Sequence, residues 1–390
     1  MSSQNNSAAI EFECNLIKSD AGFYLDFMLQ LSKEKSAGIL IFGLMPYLSL
    51  FTLESYNYIQ KKFPNYAKEL SFKYEPIISS SRMRVKFFDD TANINKVSGS
   101  FELLDWISEF YEEWFINSHK GYLSSLKRYL QPDLGIFAYD GHIIGSTHTG
   151  LLFTGLGKEN LSENGEDMTA ILGDLLFSVA QELGAYLAQL GTGAEFISVK
   201  NNKFKYTIQD DKLGYKDVKS VDFFPSVFNR CDTTTSINFS LLLFLSAINF
   251  IRHILSRLMA SSPEIFFKIK FITLYHLVSS LERLKNYCYP KNLLTESSKQ
   301  YFENILNNTD LKKIRSQKEL RNILVHYQPI KIPSSLLSPS FNLTNLVEYF
   351  FPGESFEEID KKVDDQIIRI SDILEQWLNW SIKPNDFLKW

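Results

Sequence analysis

The chain has 390 residues, of which 45% are hydrophobic and 22% charged, a balance typical of globular proteins. Its 32 Phe, 19 Tyr and 5 Trp supply more buriable aromatic surface than disordered chains carry, so a mainly disordered protein is excluded. The formal net charge of −4 excludes a strongly basic nucleic-acid-binding protein. The length favours two domains.

Targeting and cysteine patterns point to the cytoplasm. Cys14, Cys231 and Cys288 are far apart and include no Cys-x-x-Cys pair, so we expect neither a disulfide framework nor a zinc site. The amino terminus lacks a basic segment followed by an apolar run, which a secretory signal would have. Residues 37–53 carry no charge but are short and interrupted by Pro46, so we expect no membrane span. No cofactor or metal is predicted.

Residues 1–235 show both helical and strand periodicity. The continuous apolar run at 38–44 predicts a buried strand leading into a helix, and apolar residues at helical spacing predict a helix over 101–119. Segments 134–139 and 142–155 flank Asp140-Gly141, which predicts a hairpin. A further helix is predicted over 168–190. We therefore expect an α+β domain in residues 1–235.

Residues 236–390 are predicted to form an all-α domain, so the chain as a whole is expected to be predominantly helical. The pattern predicts five helices, at 237–260, 263–288, 295–307, 316–328 and 357–381. Pro263 suits a helix start, and Pro290 and Pro329 follow helix ends. The proline-containing segment 329–356 is predicted to be a surface excursion. Lys and Arg outnumber Asp and Glu only in this half, which makes it the more suitable one for a polyanion.

One predicted helix carries an unusual set of polar residues. Leu320, Ile323, Leu324 and Tyr327 stand at i, i+3, i+4 and i+7, which predicts a core-facing stripe. At about 100° per residue, Asn322 and Val325 are then expected to point away from the core, with Arg321 and His326 on either side, about 140° apart. Asn322 and His326 are i, i+4 neighbours, so the amide is expected to orient the imidazole.

Arg321, Asn322 and His326 suit metal-independent cleavage of an RNA phosphodiester. A histidine can take a proton from the ribose 2′-OH or deliver one to the leaving oxygen. An arginine can bind the phosphate and stabilise the charge that develops in the transition state. Because one histidine does not easily serve as both acid and base, we expect a homodimer in which the motif helices of two copies form a composite site.

The segment Arg321-Asn322-Ile-Leu-Val-His326, on an amphipathic helix in an all-helical half, resembles the HEPN superfamily, which is marked by an Arg-x4-6-His motif. The resemblance covers about 150 residues at the carboxy-terminal end, and residues 1–235 resemble no family. It implies a helical bundle that dimerises through the motif helix. In active members it also implies metal-independent endoribonuclease activity in toxin, CRISPR-associated and other antiviral systems. Arg321 would bind phosphate, His326 would transfer protons, and Asn322 would support them.

The sequence therefore predicts a dimeric ribonuclease effector of prokaryotic antiviral defence or of a toxin system. Its substrate would be RNA, and its amino-terminal domain would respond to a nucleotide or protein trigger. Two alternatives stay open. One is a non-catalytic HEPN-like dimerisation or interaction protein. The other is a regulator that binds nucleotides without hydrolysing them.

Several weaker patterns allow a functional or a structural interpretation. Glu282 could hold Arg321 or His326, or belong to a solvated helix face. His253 and His276, on apolar helices, are expected to be core or interface histidines rather than ligands.

Two other patterns could bind a ligand. Residues 82–86 alternate basic and apolar side chains, and Lys200, Lys203 and Lys205 are interleaved with aromatic residues, so both segments could form charged strand faces or hold nucleotides. Asp140, His142 and His148 could be imagined as metal ligands but fall short of a defined signature.

Overall fold

The computed structural model describes residues 2–31, 37–70, 75–89, 95–117, 132–154, 168–192, 208–228, 235–259, 262–333, 335–337 and 340–379. The chain is predominantly helical and has one small sheet in these segments, as predicted. The helices of the first half, in chain order, are α1 (Ser2–Leu31), α2 (Ala37–Lys62), α3 (Pro64–Ala67), α4 (Glu75–Arg84), α5 (Asn95–Asn117), α6 (Thr147–Thr154), α7 (Met168–Thr192) and α8 (Ser220–Val227).

The second half contains helices joined by turns and no strand among its described residues. Its helices are α9 (Thr235–Leu258), α10 (Pro263–Cys288), α11 (Glu296–Leu306), α12 (Thr309–Ser316), α13 (Lys318–His326), α14 (Leu343–Phe350) and α15 (Phe356–Trp377). Several begin at a side-chain cap: Thr295 accepts from the N–H of Ser298, and Ser355 forms a reciprocal capping box with Glu358. These caps satisfy N–H groups that a helix start leaves without a partner.

The sheet has three antiparallel strands, with β1 (Leu134–Tyr139) between β2 (His142–Ser146) and β3 (Leu213–Val218). Asp140 and Gly141 both have positive φ, 52° and 87°, as a two-residue hairpin turn requires. The predicted hairpin is confirmed. Its second strand ends at residue 146 rather than 155, because the Ser146 hydroxyl accepts from the N–H of Thr149 at 3.0 Å and starts α6.

Two predicted strands are helical in the structure. Residues 38–44 lie in α2, which packs against α1, α4, α6 and α7. The prediction of a strand was wrong because an apolar run enclosed on several sides has the same sequence pattern as a buried strand. Arg82 and Arg84 end α4, and the chain then turns through Phe87 at φ 49°, so residues 82–86 are not a strand either. The lysines at 200–205 lie outside the described residues.

The predicted helices at 101–119 and 168–190 are confirmed as α5 and α7, and the helical pattern of the second half holds. The helix predicted over 316–328 is shorter: α12 ends at Ser316 and α13 begins at Lys318, with Gln317 between them at ψ 57°. The segment 329–356, predicted as a surface excursion, contains α14. Helix α14 was not predicted, because its eight residues carry only a short apolar pattern.

One cluster of buried hydrophobic side chains runs through both halves of the chain. Phe87 packs edge-on against Phe244 at 5.3 Å, and the Tyr47 hydroxyl lies 2.6 Å from the Thr273 hydroxyl. The backbone N–H of Phe88 donates to Ser280 at 3.0 Å. The two halves therefore share a core, and a domain boundary at residue 235 stays a prediction.

Helix α9 lies at the centre of this core. Every residue from Ser236 to Asn249 is buried, and the helix packs against β2, α5, α10 and α15. Within the described segments it is the one helix long and apolar enough to cross a membrane, and most of it is buried inside the protein. Its last part, Phe250–Leu255, is a π-helix.

Close packing of α2 on α9 requires a glycine at position 43. A Cβ placed on Gly43 would lie 2.4 Å from the Phe250 ring. We expect Gly43→Ala to lower the free energy of unfolding by about 1–3 kcal/mol, because the buried ring has to move. Gly184→Ala, in α7 with no atom near the added methyl group, should be neutral or stabilising. Urea unfolding of both variants measures this, and equal effects would contradict it.

Burial of His148 is expected to make stability depend on pH. This imidazole is fully buried and stacks on Tyr111 at 4.3 Å, and burial lowers its pKa from 6.5 to about 3. Between these values only the unfolded chain binds the proton, so stability falls as the pH is lowered from about 6.5 towards 3. We expect His148→Phe to reduce the slope of unfolding free energy against pH by up to about 1.4 kcal/mol per unit.

Urea midpoints at several pH values between 4 and 7 test the His148 prediction. Phe228→Leu is the control, because it changes buried packing without removing a titratable group. It should lower stability equally at every pH. An unchanged pH slope in His148→Phe would show that His148 is not the group that takes up the proton.

Candidate functional site

The motif helix α13 packs against α2, α10 and α14. Leu320, Ile323, Leu324 and Tyr327 are all buried, so the predicted core stripe is confirmed. Val325 is also buried, at 2% exposure, and the prediction that it faces solvent was wrong. The reason is that neighbouring helices cover α13 on more than one side, whereas the sequence pattern was interpreted with a single buried face.

His326 is held by a carboxylate from the first half of the chain. Its Nδ1 lies 2.7 Å from Oε2 of Glu54 in α2. The Glu54 side chain is only 7% exposed, and its other oxygen lies 3.3 Å from Nη1 of Arg82. A proton on Nδ1 that is donated to Glu54 would leave Nε2 with a lone pair. The His326 side chain is 40% exposed, so solvent reaches the ring.

Asn322 and His326 line the same cleft, which has a volume of 410 Å³. The amide of Asn322 interacts with Glu319, and His326 interacts with Glu54, so the predicted support of His326 by Asn322 is replaced by two separate contacts. An ion pair with Lys331, and to a smaller extent Asn322, lowers the pKa of Glu319. The cleft is lined by residues from α2, α13 and the segment after α13: Glu54, Asn57, Tyr58, Lys61, Glu319, Asn322, Ile323, His326, Gln328, Ile330 and Lys331.

The side chain of Arg321 contacts Tyr275 in α10. Its guanidinium carbon lies 5.0 Å from the centre of the Tyr275 ring in α10, and that of Arg315 lies 4.4 Å from the same ring. The Nε of Arg321 is buried and has no hydrogen-bond partner among the described residues. The fold thus brings Asn322 and His326 to one cleft and leaves Arg321 on the α10 side of the helix.

Beside Arg315 lies a buried cluster around Asp89. Nδ1 of His276 lies 2.7 Å from Asp89, whose other oxygen accepts from Ser279 and lies 3.3 Å from Arg283. Burial lowers the pKa of His276 to about 4 despite the carboxylate. The hydrogen bonds from His276 and Ser279 outweigh the effect of burial and lower the pKa of Asp89. His276 is therefore a core histidine, as expected.

A second buried charge pair fixes the end of α13. Tyr327 adopts a left-handed conformation, φ 58°, and its hydroxyl donates to Asp20 in α1 at 2.7 Å. Lys268 in α10 forms an ion pair with Asp20 and lies 4.2 Å from the centre of the Tyr327 ring. Burial and the Asp20 charge raise the pKa of Tyr327, and burial lowers that of Lys268.

Other residues considered from the sequence lie elsewhere. Glu282 forms an ion pair with Arg315 at 3.4 Å instead of holding Arg321 or His326. Asp140 pairs with Lys212 at 3.0 Å. His148 is buried against Tyr111, so Asp140, His142 and His148 do not form a common metal site. His142 lies beside His253 and Glu375.

Glu54, the residue that holds His326, was not among the predicted site residues. The sequence does distinguish this residue, because Glu54 is the one charged residue between positions 37 and 60 of the apolar α2. A lone carboxylate within an apolar helix must find a partner when it is buried. Which partner it finds depends on the packing of helices that are about 270 residues apart in the sequence.

Comparison with protein-family models, with curated proteins and with solved structures finds no match for this chain.

The Asp20 pair offers a test of how α13 is held. Asp20→Ala leaves the buried Lys268 charge without its partner, so we expect a loss of about 3–5 kcal/mol in unfolding free energy. The double variant Asp20→Ala/Lys268→Met should be more stable than Asp20→Ala, because no unpaired charge stays buried. Glu11→Ala, an exposed acid on the same helix, should change stability by less than about 0.5 kcal/mol. Urea unfolding measures these losses. If the loss in the double variant equals the sum of the losses in Asp20→Ala and Lys268→Met, the two residues are not coupled.

Proposed function

We propose that the chain is a metal-independent endoribonuclease of the HEPN type, in which His326 transfers protons, Arg321 binds phosphate and Asn322 supports the site. The observation that carries this proposal is the pairing of a partly exposed His326 with the buried Glu54 at 2.7 Å. A carboxylate on Nδ1 fixes the ring and favours the tautomer whose Nε2 accepts a proton. That arrangement suits removal of the proton from a ribose 2′-OH.

The size and the lining of the cleft are arguments for an RNA substrate. Its 410 Å³ falls in the range of small-molecule sites and is large enough for part of a nucleotide. Asn322 and Gln328 provide amides for hydrogen bonds to a base or ribose, and Lys61 provides positive charge, whereas Lys331 is paired with Glu319. Ile330 is 83% exposed at the same cleft and offers an apolar surface to a base.

The separation of Arg321 from His326 supports a composite site. A helix places these positions about 140° apart, and Arg321 lies over Tyr275 rather than in the cleft. A second copy of the chain, docked along the exposed edge of α13, would bring a second imidazole and a second guanidinium. In this arrangement Arg321 leaves the Tyr275 ring to reach the phosphate. The homodimer is therefore part of the proposal.

The position of Glu54 supports control by the amino-terminal half. Glu54 belongs to α2, and its other contact, Arg82, ends α4. A nucleotide or protein trigger that shifts α2 or α4 would alter the hydrogen bond to His326. We propose on this basis a cytoplasmic effector of antiviral defence or of a toxin system, in which residues 1–235 regulate the ribonuclease.

A non-catalytic interaction protein is the second candidate, and a specific observation favours it. Val325 is buried and Arg321 lies over the Tyr275 ring, so part of the motif surface is covered within the chain itself. In that case Arg321 and His326 stabilise the packing of α13 on α10 and α2, and the exposed cleft binds a partner without cleaving RNA.

Cleavage of RNA by the purified full-length protein in the presence of a chelator tests the ribonuclease proposal. We expect His326→Ala and Arg321→Ala each to lower the rate at least about 100-fold, because acid–base catalysis by the histidine and stabilisation of transition-state charge by the arginine each contribute that much or more. Glu54→Gln should lower the rate less, because the amide still contacts Nδ1 of His326 but no longer fixes its tautomer. Arg257→Ala, an exposed arginine on α9, is the matched control and should cleave normally.

Cleavage that persists unchanged in both His326→Ala and Arg321→Ala would overturn the assignment of chemistry. Absence of cleavage by the unaltered protein, with and without nucleotides or phage lysate as triggers, would favour the interaction protein. Circular dichroism of each variant separates loss of chemistry from loss of fold.

A further inference from the structure

Three residues from distant parts of the chain meet beside the sheet. His142 begins β2, His253 lies in the π-helical part of α9, and Glu375 lies near the end of α15. Each offers one nitrogen or oxygen, and these three atoms lie within 4.8 Å of one another. Two imidazoles and one carboxylate from distant parts of the chain therefore lie close together.

The contacts within this cluster leave one nitrogen without a partner. Nδ1 of His142 lies 2.6 Å from Oε1 of Glu375, and the rings of His142 and His253 are parallel with centres 4.0 Å apart. Nε2 of His253 is buried and has no hydrogen-bond partner among the described residues. A buried imidazole nitrogen without a partner is costly, and a metal ion is one group that can satisfy it.

The backbone at His253 departs from a regular helix. Residues Phe250–Leu255 form a π-helix inside the otherwise α-helical α9. The π-helix is rare, occurs mostly as a short interruption of an α-helix, and is frequent at functional sites. Here it sets the direction in which His253 leaves the helix.

A second layer of hydrogen bonds orients the carboxylate. Asn249, fully buried in α9, donates through Nδ2 to Oε1 of Glu375 at 3.0 Å. The hydroxyl of Ser371, also fully buried, donates to Oδ1 of Asn249 at 2.7 Å. Metal-binding carboxylates are commonly held by such outer hydrogen bonds, which fix the ligand before the ion arrives.

We propose that His142, His253 and Glu375 bind a divalent transition-metal ion such as Zn²⁺. Two imidazoles and one carboxylate are a donor set that zinc accepts, whereas Ca²⁺ and Mg²⁺ prefer sites made of oxygen atoms. Ligand atoms about 2.1 Å from a tetrahedral ion are about 3.4 Å apart, and an imidazole binds a metal ion in the plane of its ring. On binding, the side chains therefore shift and one of the two stacked rings turns towards the ion. The ion takes the place of the proton between His142 and Glu375.

The fourth position of this site faces solvent. The side chains of His142 and Glu375 are 35% and 25% exposed, which leaves room for a water molecule or a small ligand. Of the two arginines whose charges act on His253, Arg252 pairs with Asp372 and Arg257 lies over the Tyr139 ring. The proposal does not depend on ribonuclease activity at His326.

Zinc binding by the full-length, chelator-stripped protein tests the site. Titration calorimetry with Zn²⁺, with metal content measured after gel filtration, should show one ion per chain. We expect His253→Ala and Glu375→Gln each to weaken binding at least tenfold. Asp365→Asn, which removes an exposed acid from the same helix, is the matched control and should bind as the unaltered protein does. Glu375→Gln keeps the shape of the side chain and an oxygen for Asn249.

Thermal unfolding provides a second measurement. Zinc should raise the melting temperature of the unaltered protein and of Asp365→Asn but not that of Glu375→Gln, because only a folded site binds the ion. Failure of the unaltered protein to retain one ion would overturn the proposal. If His253→Ala and Glu375→Gln bind zinc as tightly as the unaltered protein does, the proposal is also overturned, and the ion belongs to other ligands.

Discussion

Two buried carboxylates from the amino-terminal helices, Asp20 and Glu54, hold the carboxy-terminal motif helix. An ionised carboxyl group loses several kcal/mol of hydration on burial, and the loss is offset only by close partners. Asp20 finds Lys268 and Tyr327, and Glu54 finds His326. Because these partners lie on α10 and α13, neither half can move away without leaving a charge unpaired. The motif helix is therefore positioned by residues some 300 places earlier in the chain, as well as by its own apolar stripe.

This dependence explains what the sequence could predict. Periodicity identified the core stripe of α13, the hairpin at Asp140-Gly141 and the long helices, because each is specified by neighbouring residues. Periodicity gave a wrong prediction for residues 38–44, because an apolar segment enclosed by other helices has no polar face from which a helical period could be recognised. The partner of His326 could not be predicted from the sequence. Helix spacing suggested Glu282, but spacing within one helix does not show which distant helix packs against α13.

The position of Arg321 sets a constraint on any catalytic role of the motif. Over the Tyr275 ring the guanidinium gains a cation–π contact of about 1–2 kcal/mol where it is partly buried. Contact with a phosphate is charge-assisted and can be bidentate, so it is the stronger interaction. Substrate binding can thus draw Arg321 from Tyr275, whereas the free chain keeps it there.

Three histidine–carboxylate pairs occur among the described residues, and their exposure separates their roles. In the His276–Asp89 pair the two side chains are 1% and 6% exposed, so no substrate or ion reaches the ring and the pair contributes only to packing. In the His326–Glu54 pair the carboxylate is buried and the imidazole is open, which suits proton transfer to a molecule in the cleft. In the His142–Glu375 pair both members are partly open and a second imidazole lies alongside, which suits a shared ion. Under the two proposals, the same chemical pair would therefore serve structure, acid–base chemistry or metal binding according to which of its atoms the fold leaves accessible.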